Sequence, residues 1–177
     1  EVVRSFNYRY ETNVLVEPSM KATAVPKVMG IDGQNKMSKS LDNHIELAAT
    51  PEETTQRVMQ MVTDQQRIRR TDPGNPDVCN VFSMHKVFSS KDEIEMINTE
   101  CRRAGIGCVD CKKLFAKNLN AHLAPFRARR NELDRQPAMV WEILEDGAKR
   151  ARVIAEQTMV EVRQAIGLPY CARSFNA

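Results

Sequence analysis

From about residue 50 onward, apolar side chains recur with the period of an α-helix. Two capping boxes mark helix starts, because Thr50 and Ser90 are each followed three residues later by Glu. Glycine and proline mark the helix ends. The pattern predicts five helices, over residues 50–63, 79–88, 90–105, 108–133 and 137–166.

The first 48 residues follow a different pattern. Val2, Val3, Phe6 and Tyr10 lie at helical spacing and predict the end of a helix. Residues 13–16 are typical of a short strand or an extended segment. Residues 23–28 are apolar and contain a proline, which is typical of an edge strand or of a loop.

The composition narrows the class of protein. With 28% charged and 6% aromatic residues among 177, we expect a helical build with much exposed surface. The net charge of +3 permits a nucleic-acid partner without requiring one. No apolar run approaches roughly 20 residues, so we expect no membrane span and a cytoplasmic location. Because the chain opens without Met and within a predicted helix, we expect it to be a fragment.

The candidate chemistry begins at residues 36–40, Lys-Met-Ser-Lys-Ser, which we call the lysine loop. The stretch before it contains Gly30 and Gly33, which adopt backbone conformations that other residues resist. Two ammonium groups beside two hydroxyls suit a ligand with spread-out negative charge, above all a triphosphate. Two lysines at this spacing are more often a plain exposed loop, but the full pentapeptide after a glycine-rich turn favours the phosphate role.

Four cysteines form a second candidate site, which we call the cysteine site: Cys79, Cys101, Cys108 and Cys111. Gaps of 21, six and two residues separate them. A Cys-x-x-Cys pair at a helix start brings two sulfurs to one metal. Four thiolates suit a zinc ion or a [4Fe–4S] cluster, and spacing alone places zinc first. Four unligated core cysteines remain an alternative, disulfides are disfavoured in the cytosol, and Cys171 is predicted to be a free thiol.

The lysine loop resembles the second signature of class I aminoacyl-tRNA synthetases. Three longer stretches resemble the carboxyl half of bacterial tryptophanyl-tRNA synthetases: MGIDGQNKMSKSLDN at 29–43, RRTDPGNPDVC at 69–79 and GIGCVDCKKL at 105–114. The resemblance implies a mainly α chain in which a remnant of a Rossmann-like α/β catalytic domain (1–48) precedes a helical anticodon-binding domain (49–170) and a tail (171–177). It also implies a homodimer as the complete protein.

The implied activity is ATP-dependent activation of tryptophan and its transfer to tRNA(Trp). Lys36 and Lys39 would act on the pyrophosphate side beside Mg²⁺, where negative charge grows. The resemblance assigns ATP contacts to Val28, Lys36, Met37, Ser38, Lys39 and Ser40.

Asp42 departs from the family pattern, since many relatives have Gly at this position. His44, His85 and His122 receive packing or surface roles. The resemblance also places a [4Fe–4S] cluster ahead of zinc, with a structural task.

The implied tRNA contacts are basic residues on either side of the cysteine site: Arg67, Arg69, Arg70, Lys112 and Lys113. For the basic, turn-rich segment 66–76, the alternative is a solvated linker. For the whole chain, the alternative is a stand-alone helical RNA-binding or redox module with a metal cluster. The first synthetase signature and the tryptophan pocket are missing from this sequence. We therefore expect the chain alone to give no ATP–pyrophosphate exchange.

Overall fold

The computed structural model describes residues 1–23, 25 and 27–168. The chain divides into two compact units, Glu1–Lys21 with Arg135–Ala177, and Ala22–Asp134. The predicted tail at 171–177, with Cys171, lies outside the described residues. In the described part no helix has both the length and the apolar character that crossing a membrane requires.

Helices dominate both units. The first unit contains α1 (Val2–Arg9) and α6 (Pro137–Ala165). The second contains α2 (Pro51–Gln60), α3 (Asn80–Phe88), α4 (Lys91–Arg102) and α5 (Cys108–Asp134), with short 3₁₀ turns at Lys39–Leu41 and Pro76–Val78. Within the described residues no strand forms, and Met29 and Lys36 make an isolated antiparallel bridge. The prediction of a mainly helical chain is confirmed.

Both predicted capping boxes are present. The Thr50 hydroxyl accepts the Glu53 amide at 3.2 Å, and the Glu53 carboxylate accepts the Thr50 amide at 2.8 Å. Ser90 and Glu93 form the same reciprocal pair at 3.3 and 3.0 Å. Each box satisfies amides that would otherwise lack partners at the start of α2 or α4.

The core of the second unit lies along α5. Helices α2 and α3 pack on α5, and α4 packs on α3. The buried apolar side chains of this core are Val58, Met61, Val81, Phe82, Met84, Ile97, Phe115, Leu119 and Leu123. Each such side chain contributes about 1.5–3 kcal/mol when fully buried. This packed body carries both candidate sites.

Several boundaries differ from the prediction. Helix α2 ends at Gln60 instead of residue 63, and α4 ends at Arg102 because Ala104 takes a left-handed backbone with φ +61°. Residues 13–16 and the described part of 23–28 form no strand, which agrees with the extended segment and the loop that the pattern also allowed. In α6 none of the described residues is buried, and Trp141 is 67% exposed.

Candidate nucleotide loop and cysteine site

The lysine loop is the second arm of a tight reversal that begins at Val28. The Met37 amide donates to the Val28 carbonyl at 2.9 Å, and the Gly30 amide donates to the Asn35 carbonyl at 2.8 Å. Gly33 turns the chain with φ +67°, a conformation that L side chains rarely adopt. The sequence therefore folds residues 28–37 into a closed hairpin without a sheet.

The side chain of Asn43 holds the lysine loop in place through hydrogen bonds. Its side chain is almost fully buried, at 3% exposure. Its carbonyl oxygen accepts the Ser38 amide at 2.7 Å, and its amide nitrogen donates to the Asp32 carboxylate at 2.9 Å and to the Lys36 carbonyl at 3.3 Å. Gly30 must lack a side chain, because a Cβ there would lie 2.2 Å from the Asn43 amide nitrogen.

Asp32 is the anionic part of this network. Its carboxylate accepts the Asn43 side-chain amide and also the Gln34 and Asn35 backbone amides, at 3.0 and 3.2 Å. These hydrogen bonds, the one from Asn43 foremost, lower the pKa of Asp32 to about 2. The carboxylate is therefore ionised at neutral pH and holds the turn that precedes the lysine loop.

The side chains of the loop divide into an exposed set and a packed set. Lys36 and Lys39 point to solvent, and the Lys39 side chain is 86% exposed, with its Nζ 4.0 Å from a Glu46 carboxylate oxygen. Val28 and Met37 instead pack against the hydrophobic core. The Ser38 and Ser40 hydroxyls lie 2.8 Å apart. The loop thus presents two ammonium groups and two hydroxyls on a base anchored by apolar contacts.

The cysteine site lies where three helices begin or end. Cys79 is the N-cap of α3, Cys101 is in the last turn of α4, and Cys108 and Cys111 are in the first turn of α5. Cys111 is buried, and none of these four is in a disulfide. The Gly74 amide donates to the Cys101 carbonyl at 2.9 Å, which ties the proline- and glycine-rich loop to the site.

The four thiols influence one another electrostatically. Burial foremost, and then the neighbouring Cys79, Cys101 and Cys108, raise the pKa of Cys111 to about 12, against an opposing effect of Arg67. Burial likewise raises the pKa of Cys101, with the same opposing effect of Arg67. The Arg67 guanidinium lies 3.9 Å from the Cys108 sulfur. The fold thus places Cys79, Cys101 and Cys108 near enough to Cys111 to affect the pKa of its thiol.

Four thiols are the type of donor that a thiolate-bound metal needs, but the thiols are not already arranged around one metal position. Across the described ranges, no group of three or more His, Cys, Asp or Glu side chains is arranged so that it could hold a metal ion. A single zinc places its sulfurs about 2.3 Å from the ion and hence about 4 Å apart. Metal binding here requires the thiols to lose their protons and settle around the metal.

The five basic residues predicted to contact tRNA behave differently from one another. The guanidinium groups of Arg67 and Arg70 bind backbone carbonyls. Arg67 donates to the Arg70 carbonyl at 2.7 Å, and Arg70 donates to the Ala104 carbonyl at 2.7 Å. Lys112 donates to the Met59 carbonyl at 2.8 Å. Arg69 and Lys113 are exposed, and their side chains have no polar partner within the part of the chain described. These two are the best placed for an external phosphate.

Sequence reasoning missed the residues that brace the sites. Asn43 and Asn80 are buried, and the Asn80 side chain donates to the Gly30 carbonyl at 2.7 Å. His85 is buried as the packing role predicts, and its Nε2 lies 3.5 Å from the Cys111 sulfur. Burial lowers the pKa of His85. No local pattern marks these residues, because each depends on a partner at least five positions away.

Comparison with known proteins points in one direction. The sequence model of a family described as tRNA synthetases class I (W and Y) matches residues 1–124. Two similar relatives are tryptophan–tRNA ligases, from Aquifex aeolicus (42% identity over 170 residues) and Thermotoga maritima (43% over 171 residues). Each alignment covers 96% of this chain but only 42% and 52% of the relative.

Solved structures agree in fold. A tryptophanyl-tRNA synthetase from Campylobacter jejuni, crystallised with ADP and tryptophan, aligns with a TM-score of 0.74 and 27% identity. That alignment covers 94% of this chain and 51% of the solved chain. The chain therefore spans about half the length of the relatives that it matches.

Proposed function

The chain belongs to the tRNA synthetases of class I (W and Y), and on that premise we propose that it is part of a tryptophan–tRNA ligase. Its role is to supply the nucleotide-binding lysine loop and a tRNA-binding surface. The similarity to tryptophan–tRNA ligases over 96% of the chain supports the choice of tryptophan over tyrosine. The same similarity disfavours the alternative of a stand-alone RNA-binding or redox module.

The single observation that carries the proposal is the anchored lysine loop with its two exposed ammonium groups. In the proposed reaction the carboxylate of tryptophan attacks the α-phosphorus of ATP, and pyrophosphate leaves. Lys36 and Lys39 would meet the negative charge that grows on the phosphate oxygens, with Mg²⁺ sharing that charge. Because Val28 and Met37 pack against the core, this part of the loop is already ordered before ATP binds.

The proposed arrangement along the chain follows the family resemblance. Residues 1–48 are proposed to be the end of the catalytic domain, and residues 49–170 an anticodon-binding domain, so the chain corresponds to the carboxyl half. ATP contacts are proposed for Val28 and for the lysine loop. The partners are ATP, L-tryptophan and tRNA(Trp), and the complete protein is proposed to be a homodimer.

We also propose that the cysteine site holds a [4Fe–4S] cluster, with zinc as the alternative. The four mutually influencing thiols support this role, and Arg67 supplies a positive charge beside them. When bound, the metal would carry charge that relieves the repulsion between the four thiolates. A bound metal would join the start of α3 and the end of α4 to the start of α5 through Cys79, Cys101, Cys108 and Cys111, which is a structural task.

Charge removal in the lysine loop tests the proposed function. In the complete protein that carries this sequence, Lys36→Ala and Lys39→Ala should each lower the rate of tryptophan-dependent ATP–pyrophosphate exchange by about 10²-fold, the usual cost of losing one transition-state donor. Lys117→Ala, an exposed lysine on α5, serves as the matched control. Unchanged exchange in both loop variants would contradict the proposal.

A further inference from the structure

Arg57 joins the exit of the lysine loop to helix α2. Its Nη2 donates to the Asp42 carbonyl at 2.6 Å and to the Asp42 carboxylate at 2.8 Å, and its Nε donates to the His44 carbonyl at 3.2 Å. Its Nη1 also donates to the Gln60 side chain, at 3.4 Å. The Arg57 side chain is 26% exposed, so these bonds are partly shielded from water.

Asp42 is where the loop exit needs to be held. Its backbone is left-handed, with φ +49°, directly after the 3₁₀ turn Lys39–Leu41. This conformation is unfavourable for a residue with a side chain, although Asp and Asn tolerate it better than most. The Asp42 amide donates back to the Lys39 carbonyl at 3.2 Å. Whatever fixes Asp42 therefore also fixes the backbone of Lys39.

The other end of the connection is rigid. Thr54 and Val58 of α2 are fully buried, and α2 packs along α5. Side chains of α5 also bind α2: Asn120 donates to the Pro51 carbonyl at 3.1 Å, and Arg127 donates to the Thr54 hydroxyl at 2.7 Å. Arg57 thus extends from a helix that is held on its buried face.

We propose that Arg57 is a positioning residue that clamps the lysine loop to the helical body and thereby sets where the Lys39 ammonium lies. A guanidinium suits this role because its fork reaches two carbonyls and a carboxylate at once, which a single ammonium cannot do. The consequence for ATP rests on the proposed function. The clamp itself rests only on the contacts of Arg57.

Trypsin measures the clamp directly, because it cuts after Lys36 and Lys39 when the loop opens. With opening fast relative to cleavage, the cleavage rate follows the population of the open loop. In Arg57→Ala, cleavage at these two positions, followed by mass spectrometry, should be about tenfold faster than in the unsubstituted chain. Arg57→Lys, which keeps the charge without the fork, should fall between the two.

Two controls separate the clamp from general instability. Arg150→Ala removes an exposed arginine that is paired with Asp146 at 2.9 Å, and it should leave the cleavage rate unchanged. Asp42→Asn keeps both backbone acceptors and should accelerate cleavage less than Arg57→Ala does. Thermal unfolding of every variant, followed by circular dichroism, shows whether the body stays folded. Equal cleavage in folded Arg57→Ala, Arg57→Lys and unsubstituted chains would overturn the proposal.

A second arm, carried out in the complete protein that carries this sequence and with Mg²⁺–ATP as the probe, keeps the two proposals distinct. Protection of Lys36 and Lys39 by Mg²⁺–ATP in the unsubstituted chain, weakened at least severalfold in Arg57→Ala, supports both the clamp and its role toward ATP. If Mg²⁺–ATP protects neither chain while Arg57→Ala is still cut faster, the clamp stands and the nucleotide role of the loop fails. If protection is equal in both chains and the cleavage rates are equal, the clamp fails and the nucleotide role stands.

Discussion

At the scale of single residues, Asn43 shows how one buried amide can organise a functional loop. Its side chain makes hydrogen bonds to the Ser38 amide, the Lys36 carbonyl and the Asp32 carboxylate. A buried amide left without a partner costs about 1–3 kcal/mol. The loop conformation therefore depends on Asn43 more than on the lysines that would do the chemistry.

Replacing Asn43 with Ala should lower the free energy of unfolding by about 1–3 kcal/mol, because the Ser38 amide and the Asp32 carboxylate lose a buried partner. The pKa of Asp32 should rise from about 2 toward its ordinary value of about 3.9. Urea unfolding gives the first quantity, and NMR titration of the carboxyl carbon gives the second. Asn98→Ala, on the half-buried face of α4, is the control, and an unmoved Asp32 pKa would contradict the role given to Asn43.

Candidate functional residues were easier to predict from the sequence than the residues whose hydrogen bonds hold them in place. The residue type and spacing of lysines, hydroxyl residues and cysteines indicate which ligands they can bind. Lys36, Lys39 and the cysteine site can therefore be identified as candidates from the sequence. Arg57 and Asn80 act through carbonyl groups of residues 13 to 50 positions away. Carbonyl groups are common to every residue, so no pattern in the sequence identifies which of them a side chain will bind.

At the scale of helices and loops, the caps and apolar periods predicted the helices well because both are local signals. The boxes at Thr50 and Ser90 start α2 and α4 as expected. The end of α4 was predicted less well, because the left-handed residue is Ala104 rather than the glycine that usually takes that conformation. At residues 13–16 and 23–28 the pattern left a strand and a non-strand alternative open, because a strand needs a neighbour and a local pattern does not show whether one is present.

The joining of three helix ends by one metal is a prediction at this same scale. Protein purified without oxygen should contain about four irons per chain, with absorbance at the blue end of the visible range. Cys111→Ser should lower the iron content several-fold and the thermal midpoint with it, since the ends of α3, α4 and α5 would lose their common link. Cys171→Ser, outside the four, is the control.

The outcomes of that measurement separate the metals. One zinc per chain without colour would keep the four-cysteine site as a plain structural link and would remove the iron–sulfur assignment. A chain with neither metal, equally stable in the Cys111→Ser variant, would refute a metal role altogether.

At the scale of the whole molecule, the sequence predicted the helical class but not the division of the chain into two compact units. The compact units join Glu1–Lys21 with Arg135–Ala177, a pairing of distant segments that no local pattern reveals. The proposed functional boundary near residue 48 is a different kind of boundary, drawn from the family resemblance. The chain spans about half the length of its relatives, so the proposed reaction is to be tested in the complete protein.

The whole molecule also carries the tRNA prediction, because phosphate binding depends on summed surface charge. Arg69 and Lys113 are exposed beside the cysteine site, and their side chains have no polar partner among the residues described. Replacing either with Ala in the complete protein should weaken tRNA(Trp) binding and reduce the slope of log K against log salt by about 0.7–0.9. Tryptophan activation should stay unchanged, since neither residue belongs to the lysine loop.

Arg129→Ala supplies the matched comparison, since Arg129 is an exposed arginine on α5 already paired with Glu132 at 2.6 Å. A paired arginine releases fewer counterions when it meets RNA, so its removal should change the slope less than the removal of Arg69. Filter binding across a salt series, with ATP–pyrophosphate exchange on the same preparations, measures both properties. An Arg69→Ala slope equal to that of the unsubstituted protein would place the tRNA surface elsewhere on the molecule.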